Sequence, residues 1–340
     1  MSRPIMRARC LIAVAVLVAA SSIAAPGASE QSGQLRLVST LWPPFTAPAG
    51  QPRFALDLVE AGLGRIGMSG STTFVEAAKF TPALFGSDFD GTGAAWKDAE
   101  RDRVLLFSEP YLENRLVLVG RVGADVSAAT LAALKGRRIA IVEGYAYGPA
   151  IEGAGPVFAR TSGEEDSVRQ LLAGTVDFAL IDELVVNYIV ENHPEEAKKR
   201  LQLGTTPLIT RQLFFAVNRA RADAQAIVNR FNAQLRGMIA DRTYHRLLHV
   251  EWISADVNGD GTPEYVPQSD KVGTIEPKGA YVVVTTPPQA KTTAPTSKPG
   301  FYVGGNLYRD WASVPQSYKD IDPTWRDPRR ASGTIFRFTW

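Results

Sequence analysis

The sequence predicts an α/β fold over residues 34–249, followed by an extension of different character. Three observations carry this. Short apolar runs such as LRLV at 35–38, LVLV at 116–119, IAIV at 139–142 and FALI at 178–181 alternate with longer amphipathic stretches, the pattern of strands interleaved with helices. The 340 residues are 45% hydrophobic and 21% charged, long enough for two lobes with separate cores and too ordinary for wholesale disorder. Near residue 250 the periodicity gives way to the turn-rich DVNGDGTPEYVP at 256–267 and the Pro- and Thr-rich TPPQAKTTAPTSKP at 286–299.

The chain opens on MSRPIMRAR, with Arg3, Arg7 and Arg9 and no acid, then the apolar CLIAVAVLVAA at 10–20 and a run of small residues. This is a secretory signal peptide over 1–28, cut after Ala24 or Ala28. Its roughly 11–16 apolar residues fall short of the ~20 that span a bilayer. Cys10, the one cysteine, leaves with it, so neither a disulfide framework nor a multi-cysteine metal site is expected. The formal charge of +2 then becomes 34 basic residues against 35 acidic, with no nucleic-acid footprint.

Strands are expected at 35–38, 72–75, 116–119, 139–142, 178–181 and 213–217. Helices are expected at 54–66, at 166–173 ending at Gly174, and at 222–240 with Ile227, Phe231, Leu235, Met238 and Ile239 on one face. Beyond them lie an extension at 251–285 with a strand at 280–285, a linker at 286–300 and a C-terminal segment at 301–340. That segment holds Tyr302, Tyr308, Trp311, Tyr318, Trp325 and Trp340, more aromatics than a disordered tail carries, so a small or docking module is expected. Residues 285–340 carry eight basic residues against four acids, which suits an anionic envelope partner or a solvated face.

Catalytic signatures are absent. His193, His245 and His249 form no HExxH or other metal spacing, and there is no GxSxG elbow and no GxxxxGK[ST] loop. Gly91-Thr92-Gly93 lacks the third glycine of a dinucleotide fingerprint and reads as a turn. The chain is therefore not read as an enzyme.

Five stretches, LWPPFT at 41–46, FALDLVEAGLGRIGM at 54–68, ERDRVLLFSEPY at 100–111, LKGRRIAIVEGYAYG at 134–148 and GTVDFALID at 174–182, together resemble the bacterial extracellular solute-binding proteins of family 3. The resemblance implies the type 2 periplasmic binding fold: two lobes joined by crossovers near 120–124 and 207–214, closing on a ligand by hinge motion. Lobe one would comprise 29–121 and 215–250, lobe two 122–214, and the last helix would pack back on lobe one. The implied function is periplasmic capture of a polar amino acid or similar solute for an ABC-type permease. A sensory or scaffolding envelope protein, or a small dehydratase-like enzyme on the same fold, are the alternatives.

A zwitterion needs a fixed cation, a fixed anion and an apolar wall. The resemblance makes Arg101 the grip on the α-carboxylate, by two parallel guanidinium bonds, unless it is a surface residue beside Asp102 and Arg103. It makes Asp182 the partner of the ligand ammonium at the cleft edge; an N-cap for a helix at 183–191 is the other reading, and the two are compatible. Trp42 would flank the ligand side chain or pack beside Pro43 and Pro44. GYAYG at 144–148, with Tyr145 and Tyr147, would open a helix whose N–H groups receive the carboxylate, or form a plain turn. Asp98 stands where the family commonly has Thr, and Trp96 where a small residue is frequent, so the usual ligand class is in doubt: an acid there repels a carboxylate unless it points away or meets a cation.

Asp256, Asn258, Asp260 and Gly261 match positions 1, 3, 5 and 6 of an EF-hand-type loop, with Thr262 next and Glu264 at position 9. Position 12 is Pro267, so the bidentate Glu is missing. A structural calcium pinning the extension, or an Asx-rich turn that binds nothing, are the two readings; no other cofactor is expected.

Overall fold

The computed structural model describes residues 33–283, apart from 152, and 299–320. The expected signal peptide at 1–28, most of the expected 286–300 linker, and Trp325 and Trp340 lie outside the described residues.

The chain begins with β1 (Gln34–Ser39), α1 (Phe54–Arg65), β2 (Ser69–Phe74), α2 (Ala77–Phe85) and β3 (Gly91–Trp96). A single-turn α3 (Arg101–Val104), β4 (Leu105–Phe107) and β5 (Leu112–Arg121) lead into β6 (Arg138–Val142), β7 (Val157–Thr161), α4 (Glu164–Leu172) and β8 (Phe178–Asp182). Then come α5 (Glu183–Asn192), α6 (Pro194–Arg200), the long β9 (Leu201–Asn218), α7 (Ala224–Ala240) and α8 (Thr243–Leu248).

The strands run in the order β2-β1-β3-β9-β5-β8-β6-β7, with β4 also on β9. β2, β1 and β3 are parallel and meet the antiparallel end of β9 at Leu213–Val217; this is lobe one. β7, β6 and β8 are parallel and meet β5 antiparallel at Leu116–Gly120; this is lobe two. β5 pairs along its whole length with the first part of β9, Leu112 with Leu213 and Arg121 with Leu201, with register shifts around Val117. These two strands carry the chain between the lobes. The second crossing falls near residues 208–213, within the expected stretch. The first lies near 112–115, ahead of the expected 120–124, because 116–120 already pairs with β8.

Burial explains the helices. α1 buries Ala55, Leu56, Leu58, Val59, Gly62 and Leu63, and α7 buries Ile227, Val228, Phe231, Leu235, Met238 and Ile239, the one-face spacing of a 3.6-residue repeat. α7 packs back on α1, where a Cβ at Gly62 would stand 2.5 Å from the Phe231 ring. Each large apolar side chain fully buried here contributes about 1.5–3 kcal/mol.

Gly91-Thr92-Gly93 is not a turn: it opens β3, a strand buried at all six positions. The glycines serve close approach, since a Cβ on Gly91 would lie 2.0 Å from the Ala216 carbonyl of β9 and one on Gly93 2.7 Å from Leu56. The helix expected to open at GYAYG is also absent. After β6 the chain takes a turn and an extended stretch, then a single 3₁₀ turn at Pro149–Ile151, because Gly144 at φ 76° and Gly148 at φ 77° break the helical path.

The extension forms its own sheet of β10 (Trp252–Ala255), β11 (Glu264–Pro267), β12 (Tyr281–Val282), β13 (Phe301–Val303) and β14 (Asn306–Tyr308), ordered β12-β10-β11-β13-β14. Phe301, Val303 and Val314 form a small core with Trp252, Tyr265, Trp311 and Tyr318 around them, so part of the aromatic segment is a packed module. Ile253, Ala255, Val266 and Val283 join the main core instead, and buried His245 of α8 donates from Nε2 to the Val266 carbonyl at 2.9 Å. Burial, foremost, holds His245 down to about 4, so it sits there as neutral imidazole.

Candidate functional site

The turn at 42–46 closes on itself through Trp42 N–H to the Thr46 carbonyl at 2.8 Å and the return bond at 2.9 Å. It sets the Trp42 indole against Phe45 at 4.3 Å, Tyr145 at 5.5 Å and Trp96 at 5.6 Å between ring centroids. Trp96 ends β3 in lobe one, while Tyr145 and Tyr147 follow β6 in lobe two, 5.4 and 5.5 Å from it. These tilted and edge-on contacts between rings weld the two lobes at this point. Trp96 also donates from Nε1 to Asn114 Oδ1 at 2.7 Å. The bulk placed where the resemblance expects a small residue thus fills the space between Trp42 and Tyr147.

Arg101 is 3% exposed. Its Nη1 donates to the Trp96 carbonyl at 3.1 Å, and Nη2 to Thr81 Oγ1 at 2.8 Å and to the Gly144 carbonyl of lobe two at 3.0 Å. Phe80 lies under the guanidinium, 5.3 Å away. Asp98 accepts from the Arg101 backbone N–H at 2.7 Å and approaches Nε at 3.9 Å. Burial lowers the Arg101 pKa, and Asp98 opposes that shift. The surface reading of Arg101 is therefore overturned: it is buried, as a strap between lobes. Asp98, on the arginine side of the cleft, meets that cation.

Asp182 closes β8 and is 2% exposed. One carboxylate oxygen caps α5 by accepting from Leu184 N–H at 2.8 Å, and the other accepts from Arg115 N–H at 3.0 Å. Burial raises its pKa to about 7 against these bonds and against Asn114, while Glu183 adds to the rise. Glu164, in the first turn of α4, is raised further, to about 8, by burial and then by the Asp182 charge, with the Trp42 indole N–H opposing. Among the described residues, Trp42 Nε1, Glu164 Oε2 and Asn114 Nδ2 meet no partner in hydrogen-bond geometry, although Trp42 and Asn114 lie close enough to favour the anions beside them.

On the other side of Asp182 a cavity of about 850 Å³ opens between the lobes. Lobe one supplies Phe54 and the stretch at 247–250, lobe two Asp182 and α5, the crossing strand Glu113 and Arg115, and the extension Trp252 and Tyr281. Tyr281 also donates from Oη to the Glu113 carbonyl at 3.4 Å. The extension is thus a wall of the cleft, a proximity that sequence distance hid.

The loop at 256–264 is closed by its own backbone. Asp256 accepts from the N–H groups of Gly259, Asp260 and Gly261 at 2.6, 3.2 and 2.9 Å, and Asp260 from Thr262 at 2.7 Å. Asn258 Nδ2 donates to Asp260 at 2.9 Å, and Glu264 accepts from Val257 N–H at 3.2 Å. Among the described residues no group of three or more His, Cys, Asp or Glu converges on a metal position.

Of the six expected binding residues, Trp42, Tyr145 and Tyr147 share the aromatic cluster, Arg101 and Asp98 adjoin it through the Trp96 carbonyl, and Asp182 lies behind it toward the cavity. Glu164, Asn114, Thr81 and the cavity acids were not anticipated. GEED at 163–166 reads as an ordinary acidic helix start, and nothing local in the sequence shows that its first acid lies beside Trp42 of the neighbouring lobe.

Two α/β lobes, paired crossing strands and an interlobe cavity make up the two-lobed fold seen in periplasmic binding proteins. No family model and no curated protein matches the chain. Among solved structures it is similar to a mutant of ArgBP from T. maritima, at 22% identity over 64% of this chain and 94% of that one, with a TM-score of 0.53. The amino acid ABC transporter substrate-binding protein AbpA from Streptococcus pneumoniae, bound to L-arginine, matches at 15% identity over 64% and 93%, TM-score 0.54. The GluR0 ligand-binding core from Nostoc punctiforme, in complex with L-glutamate, matches at 17% over 63% and 96%, TM-score 0.52. The fold is that of the family 3 amino-acid-binding proteins, and about a third of this chain lies outside each match.

Proposed function

We propose that the protein is an exported solute-binding subunit that takes a polar amino acid or similar small solute between its lobes and presents it to an ABC-type permease. The observation that supports this most is the 850 Å³ cavity lined from both lobes, the crossing strand Glu113 and the extension, a size that suits a small ligand. The matched proteins that bind arginine and glutamate point the same way. Export rests on the 1–28 signal sequence and the periplasmic address on the resemblance. A calcium at 256–264 rests on the spacing of oxygen donors alone; calcium titration of wild type against Asp256→Ala tests it, equal responses removing the ion.

A thermal-shift screen of amino acids and small acids tests the main reading. A solute that raises the melting temperature without turnover supports capture. Product formation in the same mixture favours an enzyme, and retention by envelope material with no solute effect favours a scaffold.

A further inference from the structure

Among the described residues, the lining of the interlobe cavity is richer in acids than in cations. Six carboxylates and two arginines line it among the described residues. Both arginines are already engaged: Arg53 with Asp57 at 2.8 Å and with Glu60, and Arg115 with Glu183 at 3.4 Å. Glu113, Asp182, Glu191 and Glu251 have no ion-pair partner among the described residues. Asp182 lines the cavity, and fully buried Asn114 lies beside that carboxylate, outside the lining. Aromatic faces are at hand in Phe54, Tyr188, Trp252 and Tyr281.

The same geometry takes the expected carboxylate grip away from the cavity. Arg101, the residue expected to grip one, places three N–H bonds on protein oxygens, is closed off by Trp96, and does not line the cavity. A ligand carboxylate entering this space would face acids, at the cost that like charges impose in a partly dry site. An ammonium or guanidinium would meet carboxylates and ring faces together.

We infer that the cavity takes a small organic cation, recognised through an ammonium or guanidinium by Asp182 and the unpaired acids around it, with no contribution from a ligand carboxylate. This rests on the solute-binding reading and narrows it.

Isothermal titration calorimetry on the purified protein tests it, with agmatine, arginine, glutamine and glutamate as probes. Agmatine should bind with one site per chain and at least as tightly as arginine, and glutamine and glutamate about a hundredfold more weakly or not at all. Asp182→Asn, which retains a side chain able to cap α5, should weaken agmatine by about tenfold or more. Glu251→Gln, on an exposed residue, should weaken it about two- to threefold. The Glu251 variant carries the test if the buried one fails to fold. Tighter binding of glutamine or glutamate than of agmatine overturns the cationic ligand while leaving solute capture standing. So does arginine binding more than about tenfold tighter than agmatine, since the carboxylate would then be recognised. Unchanged agmatine affinity in both variants overturns it as well. Binding of none of the four, alongside stabilisation by another solute, overturns it and spares solute capture; stabilisation by no solute removes both.

Discussion

The guanidinium of Arg101 donates to the carbonyl of Gly144 at 3.0 Å and so ties lobe one to lobe two. Gly144 has φ 76°, and a Cβ there would stand 2.6 Å from the Ala77 carbonyl across the cleft. The contact brings backbone against backbone, which a larger residue would hold apart. Arg101→Ala should remove this strap and leave the Gly144 and Trp96 carbonyls without their donor. Leaving a buried acceptor without its donor costs about 1–3 kcal/mol. A lowered melting temperature with an increased radius of gyration in small-angle scattering is expected; a lower melting temperature at unchanged dimensions would show a local role only.

Gly91→Ala should be among the most damaging small substitutions. Its Cβ would lie 2.0 Å from the Ala216 carbonyl, so β3 and β9 must separate where lobe one is centred. A destabilisation of about 2–4 kcal/mol is expected from overpacking of this kind, read by urea unfolding. An alanine tolerated within about 0.5 kcal/mol would contradict the packing.

Glu164 and Asp182 give ligand-free stability a distinct pH dependence. Their folded pKa values, about 8 and about 7, lie above those of an unfolded chain, so the native state binds more protons between roughly pH 4 and pH 8. Their contribution therefore falls as pH rises through that window. His245, held down to about 4, acts oppositely, and its contribution is complete above its ordinary value near 6.5. Between pH 6.5 and 8 stability should decline, each carboxyl giving a slope of up to about 1.4 kcal/mol per pH unit. Denaturant midpoints across that range check this, and Glu164→Gln should flatten the curve.

A chain ending at residue 250 should fold poorly. It would lose Ile253, Ala255, Val266 and Val283 from the main core and uncover His245. Removing four such apolar residues costs several kcal/mol at about 25 cal/mol per Å² of apolar area. Limited proteolysis and thermal melting of the shortened chain measure it; a melting temperature equal to the full chain would make the extension an independent appendage.

Local pattern predicts most of the frame. β1, β6, β8, α1 and α7 stand where periodicity puts them within a few residues, because each buries one face or a continuous run whose spacing is written locally. Asp182 was legible both as a cleft acid by resemblance and as an N-cap, and the cap is present. β3 was not legible, since GTGAAW has neither alternation nor branched side chains. Its strand character comes from the close approach of β9, which lies more than a hundred residues later. β9 itself was expected only at 213–217, near its end, because its first half is amphipathic and is held by β5.

By itself the sequence determined the α/β class and the lobe-one helices, which depend on neighbours close in the chain. The tertiary structure decided what those residues are free to do. Arg101 is occupied because Thr81, Trp96 and Gly144 converge on it from both lobes, and one carboxylate oxygen of Glu164 is buried beside Trp42 of the opposite lobe. The cavity is acidic because the crossing strand, α5 and the extension bring their carboxylates to one space. Charge adds up by distance in space, and sequence spacing does not record that distance.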